Sequence, residues 1–187
     1  AGSSMGSYQQ LVAKRVAPTG RMLAVDIQQG MLDQLKGRMT EAGIANVELI
    51  LGTADDPRLP AGGVNWILMV DVYHEFSNPQ GMLAKIRAAL APGGKVALLE
   101  YRKEQDPATI SFPIPIDHKM SVDEVLQEWI PAGFALEDRI EVLPAQHIFV
   151  FTAAENTAVK DIMPVRVGKT PFAAATTRVA CARSRKD

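Results

Sequence analysis

The 187-residue chain has a net charge of −1 and a single cysteine, Cys181. The length fits one domain, or one domain with a tail. The balanced charge gives no argument for nucleic acid or an anionic membrane as a partner, and no apolar run approaches the roughly 20 residues that span a bilayer. One cysteine excludes an internal disulfide framework and a cysteine-rich metal site, and it fits a reducing, cytoplasmic compartment.

The first hundred residues alternate helix and strand. Apolar residues at helical spacing predict helices over 8–16, 29–42 and 79–90. Continuous apolar runs, typical of strands covered on both faces, predict strands over 21–26, 47–51, 64–70 and 95–101. The alternation predicts an α/β fold with a doubly wound, mostly parallel sheet and right-handed crossovers.

The pattern changes after residue 101. Residues 102–120 form a long link with three prolines, and Ser121 with Glu124 predicts a capping box for a helix that ends at Trp129 or Ile130. Two further strands, over 135–142 and 147–152, are joined by a proline-containing turn and are expected to be antiparallel. We therefore expect one domain over 1–153 and a flexible basic tail over 154–187, where seven Lys or Arg against three acids give +4.

Two of the predicted strands stop at a carboxylate, Asp26 and Asp71. In doubly wound sheets, ligands bind at the carboxyl edge, and an acid at a strand end binds the ribose of a nucleotide-like cofactor. The sequence therefore predicts a cofactor site at this edge.

With Asp26, these elements resemble the class I S-adenosylmethionine-dependent methyltransferases, and among them the small ubiquinone/menaquinone-biosynthesis type. The other segments that carry the resemblance are Gly52-Thr-Ala-Asp55, Asp71-Val-Tyr-His-Glu75 and Leu90-Ala-Pro-Gly-Gly94. The resemblance extends from about residue 10 to residue 151. It implies S-adenosylmethionine as the cofactor and methyl transfer to a small-molecule acceptor.

The sequence departs from that family at the centre of the expected sheet. The family's first strand ends in Asp-x-Gly-x-Gly, and this chain contains no such segment; Ala1-Gly-Ser-Ser-Met5 is either a cloning scar or the end of a natural glycine-rich loop. Without the central strand, we expect either poor cofactor binding or a strand recruited from elsewhere, including by exchange between two copies of the chain.

The resemblance implies roles for individual residues. Asp26 would accept the ribose hydroxyls, and Ile27 with Met31 would enclose the adenine, although ordinary helix packing explains those two equally well. The full set of expected cofactor contacts is Asp26, Ile27, Met31, Thr53, Ala54, Asp55 and Asp71. Thr53 replaces an acid of the family, so contact to the adenine amino group would pass to Asp55 or to backbone.

The acceptor side is expected to contain Tyr73, His74, Glu100, Tyr101 and His118. His74 is the candidate catalytic residue, either as a general base or as a positioning residue. Positioning is favoured, because only Asp71 or Glu75 lies close enough in sequence to orient the imidazole. No metal site is expected, because Asn78 stands where a His-Glu-x-x-His motif needs its second histidine.

Two other functions remain open. An NAD-dependent dehydrogenase also carries an acid at a strand end, although its own first-strand motif is equally missing and the final hairpin fits it less well. A non-catalytic relative that dimerises or binds a partner would not need the missing loop.

Overall fold

The structure, a computed structural model, describes residues 7–104, 113–154 and 178–182. The helices in these ranges are α1 (Ser7–Val16), α2 (Gln29–Glu41), α3 (Pro79–Ala89) and α4 (Val122–Trp129). The strands are β1 (Arg21–Asp26), β2 (Val47–Leu51), β3 (Val64–Val70), β4 (Leu90–Arg102), β5 (Lys119–Met120), β6 (Phe134–Ile140), β7 (Gln146–Ala153) and β8 (Arg178–Ala182). Among the residues described, no helix combines the length and hydropathy needed to cross a membrane.

The strands form one sheet in the order β2-β1-β8-β3-β4-β7-β6, with β5 paired to β4. The pairs among β2, β1, β8, β3 and β4 are parallel, and β7 is antiparallel to both β4 and β6. The predicted doubly wound parallel sheet and the antiparallel C-terminal hairpin are therefore confirmed.

Helices cover both faces of the sheet. On one face, Ala13 of α1 and Leu35 of α2 pack with Met22 of β1. On the other face, Leu83 of α3 and Trp129 of α4 belong to a larger core. Successive side chains of a strand point to opposite faces, so β1, buried from Met22 to Val25, contributes to both cores.

The position between β1 and β3, where the family's first strand is expected, is occupied by β8. Ala180 pairs with Leu23 on one side and with Ile67 on the other. These five residues come from the segment predicted as a flexible tail, so that expectation does not hold for them. Residues 155–177 and 183–187 lie outside the described residues. An open gap would leave two rows of unpaired backbone groups in the sheet, which explains why a short segment without periodicity is taken up as a strand.

The predicted boundaries agree with the structure to within one or two residues, except at β4. This strand begins at Leu90, which pairs with Val64 before the turn, and the pairing resumes at Lys95 opposite Trp66. Gly93, with φ of 71°, supplies the left-handed conformation inside this irregularity. The capping box of Ser121 and Glu124 is present as predicted. Two short 3-10 turns, Tyr73–Glu75 and Ile116–His118, were not predicted.

Candidate functional site

The parallel strands end at one edge of the sheet, and most of the predicted site residues lie there. Asp26 is the last residue of β1, and Asp71 directly follows β3. Between these strands, Ala182 at the end of β8 pairs with Val25 and Met69. The predicted cofactor side and acceptor side therefore meet along this edge, as expected for a ligand site of a doubly wound sheet.

Asp26 is held at this edge by two hydrogen bonds, one to its side chain and one to its backbone carbonyl. Its Oδ1 accepts the backbone N–H of Gln28 at 2.8 Å, and its carbonyl accepts the N–H of Gly52 at 3.0 Å. A Cβ on Gly52 would lie 3.1 Å from the Val25 side chain, so glycine allows the loop after β2 to pack against β1. The half-buried carboxylate is thus fixed at a strand end.

The loop after β2 is closed by hydrogen bonds of Thr53. Its backbone N–H donates to the Asp56 carbonyl at 2.8 Å, and its hydroxyl donates to Asp55 Oδ1 at 2.8 Å. Ala54 and Asp55 are exposed. The hydroxyl that replaces the family's acid is therefore engaged within the loop.

The residues around Asp26 fit the adenosine half of S-adenosylmethionine. Ile27 is 40% exposed, although it is a large apolar side chain, and Met31 is half-buried. An exposed apolar side chain beside a strand-end carboxylate suits a base and its ribose. Residues 1–6, which could be the end of a glycine-rich loop, lie outside the described residues.

Asp71 has a strained backbone and a side-chain partner that the sequence did not indicate. Its φ of 48° lies in the left-handed region, which costs a non-glycine residue about 1–3 kcal/mol. Both carboxylate oxygens lie 2.7 Å from Gln146 Nε2, a donor on β7. Its expected contact with the cofactor stays a prediction.

Glu100 organises the turn that follows β3. This β4 residue has 0% exposure, so its carboxylate is buried behind the turn; its expected contact with substrate remains a prediction. Its Oε1 accepts the N–H groups of Val72 and Tyr73 at 3.2 and 2.8 Å, and its Oε2 lies 2.6 Å from His74 Nδ1. Glu100 is the group that orients the imidazole, rather than a sequence neighbour.

The pKa of His74 reflects burial opposed by negative charge. Burial acts to lower the pKa of the imidazole, but the hydrogen bond and charge of Glu100, with the charges of Glu75 and Asp71, raise it above its usual value. Its side chain is only 5% exposed. His74 therefore stands in a nearly dry, negatively charged setting.

His118 approaches His74 from a distant segment. Its Nδ1 lies 3.1 Å from His74 Nε2, and the two rings meet edge to face with centroids 4.9 Å apart. The pairing of Lys119 with Tyr101 and of Met120 with Arg102 fixes this segment on β4. Tyr101 itself is half-buried within the ladder, so its expected contact with substrate remains a prediction.

A cavity of about 280 Å³ opens beside this cluster. Polar side chains that line it are Tyr73, His74, Lys103, Asp117, Lys119, Glu124 and Glu128. The Tyr73 hydroxyl donates to Glu128 Oε2 at 2.5 Å, and burial together with this bond raises the pKa of the phenol. The cavity therefore has a mixed-charge wall with a neutral, hydrogen-bonded tyrosine.

The amino-acid sequence is similar to that of known methyltransferases. The family model for the methyltransferase domain matches residues 1–94, just over half of the chain. The chain belongs to this methyltransferase family. The ubiquinone/menaquinone biosynthesis C-methyltransferase of Hydrogenovibrio crunogenus is 29% identical to the domain over 103 residues, which are 54% of this chain and 41% of that protein. An uncharacterised 37.1 kDa protein of a Streptomyces fradiae transposon is 31% identical over 112 residues, 60% of this chain and 31% of that one.

Solved structures agree with the methyltransferase fold. An S-adenosylmethionine-dependent methyltransferase from Aquifex aeolicus superposes with a TM-score of 0.74 at 24% identity, over 82% of this chain and 79% of that one. A glycopeptide N-methyltransferase in complex with S-adenosylmethionine gives 0.58 at 15% identity, over 82% and 89%. The predicted class I family, with S-adenosylmethionine as its cofactor, is confirmed. The chain spans less than half the length of the curated relatives it matches.

Proposed function

We propose that this chain transfers a methyl group from S-adenosylmethionine to a small polar acceptor. The observation that carries the proposal is the buried Glu100–His74 pair, which holds an imidazole at the wall of a cavity. Asp26 lies at the same carboxyl edge of the sheet. The family membership supports the chemistry, and the carboxyl edge of a doubly wound sheet is where such ligands bind, which supports a cofactor site beside an acceptor site.

The cofactor would be bound mainly by the loops after β1 and β2. Asp26 would accept the ribose hydroxyls, Ile27 and Met31 would cover the adenine, and Thr53 to Asp55 would border it. When bound, S-adenosylmethionine supplies a sulfonium methyl group that a lone pair of the acceptor takes in line while the C–S electrons remain on sulfur. The chain's own contribution is alignment and exclusion of water.

We assign His74 a positioning role. Glu100 fixes the ring through Nδ1, His118 approaches Nε2, and the ring held in this orientation lines the cavity. An acceptor atom that is already deprotonated needs no base. A fixed imidazole then serves to align the acceptor.

The cavity supports a small acceptor rather than a large one. Its volume of about 280 Å³ lies at the lower end for ligand pockets. Lys103 forms an ion pair with Glu124 at the wall, and Tyr73 is bonded to Glu128, so both signs of charge are present. A polar molecule with a few hydrogen-bonding groups fits this lining.

Ligand-dependent melting distinguishes the proposed function from its rivals. A ligand that binds only the folded state increases the free energy of unfolding, by about 2.7 kcal/mol at a hundredfold excess over Kd, and so raises the melting temperature. We expect S-adenosylmethionine to stabilise the chain and to yield S-adenosylhomocysteine when a panel of small polar acceptors is added. Stabilisation by NAD alone would indicate the dehydrogenase, and no response to either ligand would indicate a non-catalytic relative.

A matched pair of variants makes the assay specific for the edge site. Asp26→Ala should remove the response to S-adenosylmethionine, whereas Asp33→Ala should preserve it. Asp33 is an exposed acid on α2, and its Oδ1 accepts a hydrogen bond from the side-chain amide of Gln29, four residues earlier. Equal loss in both variants would show that binding does not depend on the carboxylate at the strand end.

A further inference from the structure

We propose that His74, His118 and Glu75 form a binding site for a divalent transition-metal ion. His74 Nε2 and His118 Nδ1 lie 3.1 Å apart, and a Glu75 oxygen lies 3.9 Å from His74 Nε2. One ligand atom from each of the three residues lies within 4.8 Å of the others. The sequence predicted no metal site, because Asn78 stands where a local motif needs its second histidine. In the structure the second histidine is His118, 44 residues after His74.

Glu100 orients the His74 ring in the way that a carboxylate orients a metal-binding histidine. An ionised carboxylate only accepts hydrogen bonds, so the proton of the ring lies on Nδ1, which faces Glu100. The other oxygen of Glu100 is occupied by two backbone N–H groups, so this acceptor cannot turn away. A histidine that ligates a metal usually donates its other ring N–H to such a carboxylate, which fixes the tautomer and raises the basicity of the free nitrogen.

The distances suit an ion after a small adjustment. Two nitrogens that each lie about 2.0–2.1 Å from a tetrahedral zinc are about 3.3 Å from each other. The nitrogen pair of His74 and His118 already matches this to within a few tenths of an ångström. The Glu75 oxygen, 3.9 Å from His74 Nε2, has to move roughly 0.5 Å closer to that nitrogen. It also has to approach His118 Nδ1 from a distance of up to 4.8 Å, and a side-chain rotation can supply both movements. The side chains of His74 and Glu75 are 5% and 11% exposed, so little water competes for the ion.

The ligand set selects the class of metal. Two imidazole nitrogens and one carboxylate oxygen suit zinc and the neighbouring first-row ions, whereas magnesium and calcium prefer oxygen ligands. Three protein ligands leave a coordination position open, and His74 also lines the cavity. Under the proposed function, on which this last step rests, the open position would bind a hydroxyl, thiol or carboxylate of the acceptor.

The test is metal binding itself, measured without S-adenosylmethionine. The full chain, carrying Cys181→Ser to remove its one thiol, is treated with chelator and titrated with Zn²⁺ by calorimetry and with Co²⁺ by visible absorption. We expect one ion per chain and the intense absorption of tetrahedral cobalt. His118→Gln and Glu75→Gln should each weaken binding by about tenfold or more, and Glu100→Gln, outside the coordination sphere, by about 10–100-fold.

The third histidine provides the matched control. His147 is also buried, with its ring nitrogens 2.9 and 3.2 Å from Glu141 and Glu104. His147→Gln should leave the affinity for Zn²⁺ unchanged. Absence of binding at millimolar Zn²⁺, or equal affinity in His118→Gln and the parent, would overturn the site. Since the assay contains no cofactor, failure of methyl transfer alone would not produce these outcomes.

Discussion

Glu100 should stabilise the fold far more than its single charge suggests, because three donors depend on it. Glu100→Ala leaves the N–H groups of Val72 and Tyr73 buried without an acceptor. Each of these two stranded backbone donors costs about 1–3 kcal/mol, so we expect a loss of about 2–6 kcal/mol before the cost of the cavity and of the lost bond to His74. The total free energy of unfolding of a single domain is about 5–15 kcal/mol, so the variant should be close to unfolding.

Glu100→Gln separates the contribution of the two backbone hydrogen bonds from that of the bond to His74. The amide oxygen can still accept both N–H groups, but the amide nitrogen then faces the Nδ1–H of His74, donor against donor. Only the charge-assisted bond is lost, and we expect a cost of about 1.5–3 kcal/mol. Glu137→Gln, which removes a partner of Lys95 on the surface, should cost less than about 1 kcal/mol.

Urea unfolding in chelator, near pH 5.5 and near pH 9, tests this division. The folded-state pKa of His74 is raised, so the stabilisation from its charged form is fully present below its unfolded pKa near 6.5 and is lost as pH rises through the folded value. The penalty of Glu100→Gln should therefore be larger at the lower pH. Equal penalties for Glu100→Ala and Glu100→Gln, or a penalty below about 1 kcal/mol for alanine, would refute the reasoning.

Three further predictions concern the edge of the sheet and its central strand. Asp26→Ala should weaken S-adenosylmethionine binding by about 2–4 kcal/mol in calorimetry, and unchanged affinity would remove Asp26 from the cofactor site. His74→Gln should lower kcat/KM by less than about a hundredfold without changing the pH–rate profile; a larger loss together with disappearance of the acidic limb would assign it proton transfer. Ala180→Pro should remove a backbone hydrogen bond of β8 and lower the melting temperature by several degrees, because the stranded partner costs about 1–3 kcal/mol. An unchanged melting temperature would mean that β8 does not stabilise the sheet.

The sequence was sufficient for the elements that periodicity encodes. The apolar strand before Asp71 and the capping box of Ser121 are local signals, and both appear as predicted. The parallel direction of β1 to β4 followed from the alternation of these strands with helices.

The contacts that make the site are not local, and sequence reasoning missed their geometry. His74 was expected to be oriented by Asp71 or Glu75, whereas its partner Glu100 lies 26 residues away on the adjacent strand. Both strands end at the same edge, so this pairing could have been suggested from the predicted order. The approach of His118 depends on β5, a strand of two residues, and carries no periodic signal.

The central position of β8 makes the sheet sensitive to changes in this short strand. Five residues, Arg178–Ala182, separate β1 from β3, so loss of β8 would split the sheet at its middle, next to Asp26 and Asp71. The sheet also closes only when β8 pairs with two strands that lie far before it in the chain, and such long-range pairing slows assembly. Until then, the open slot can accept the same strand from another copy of the chain.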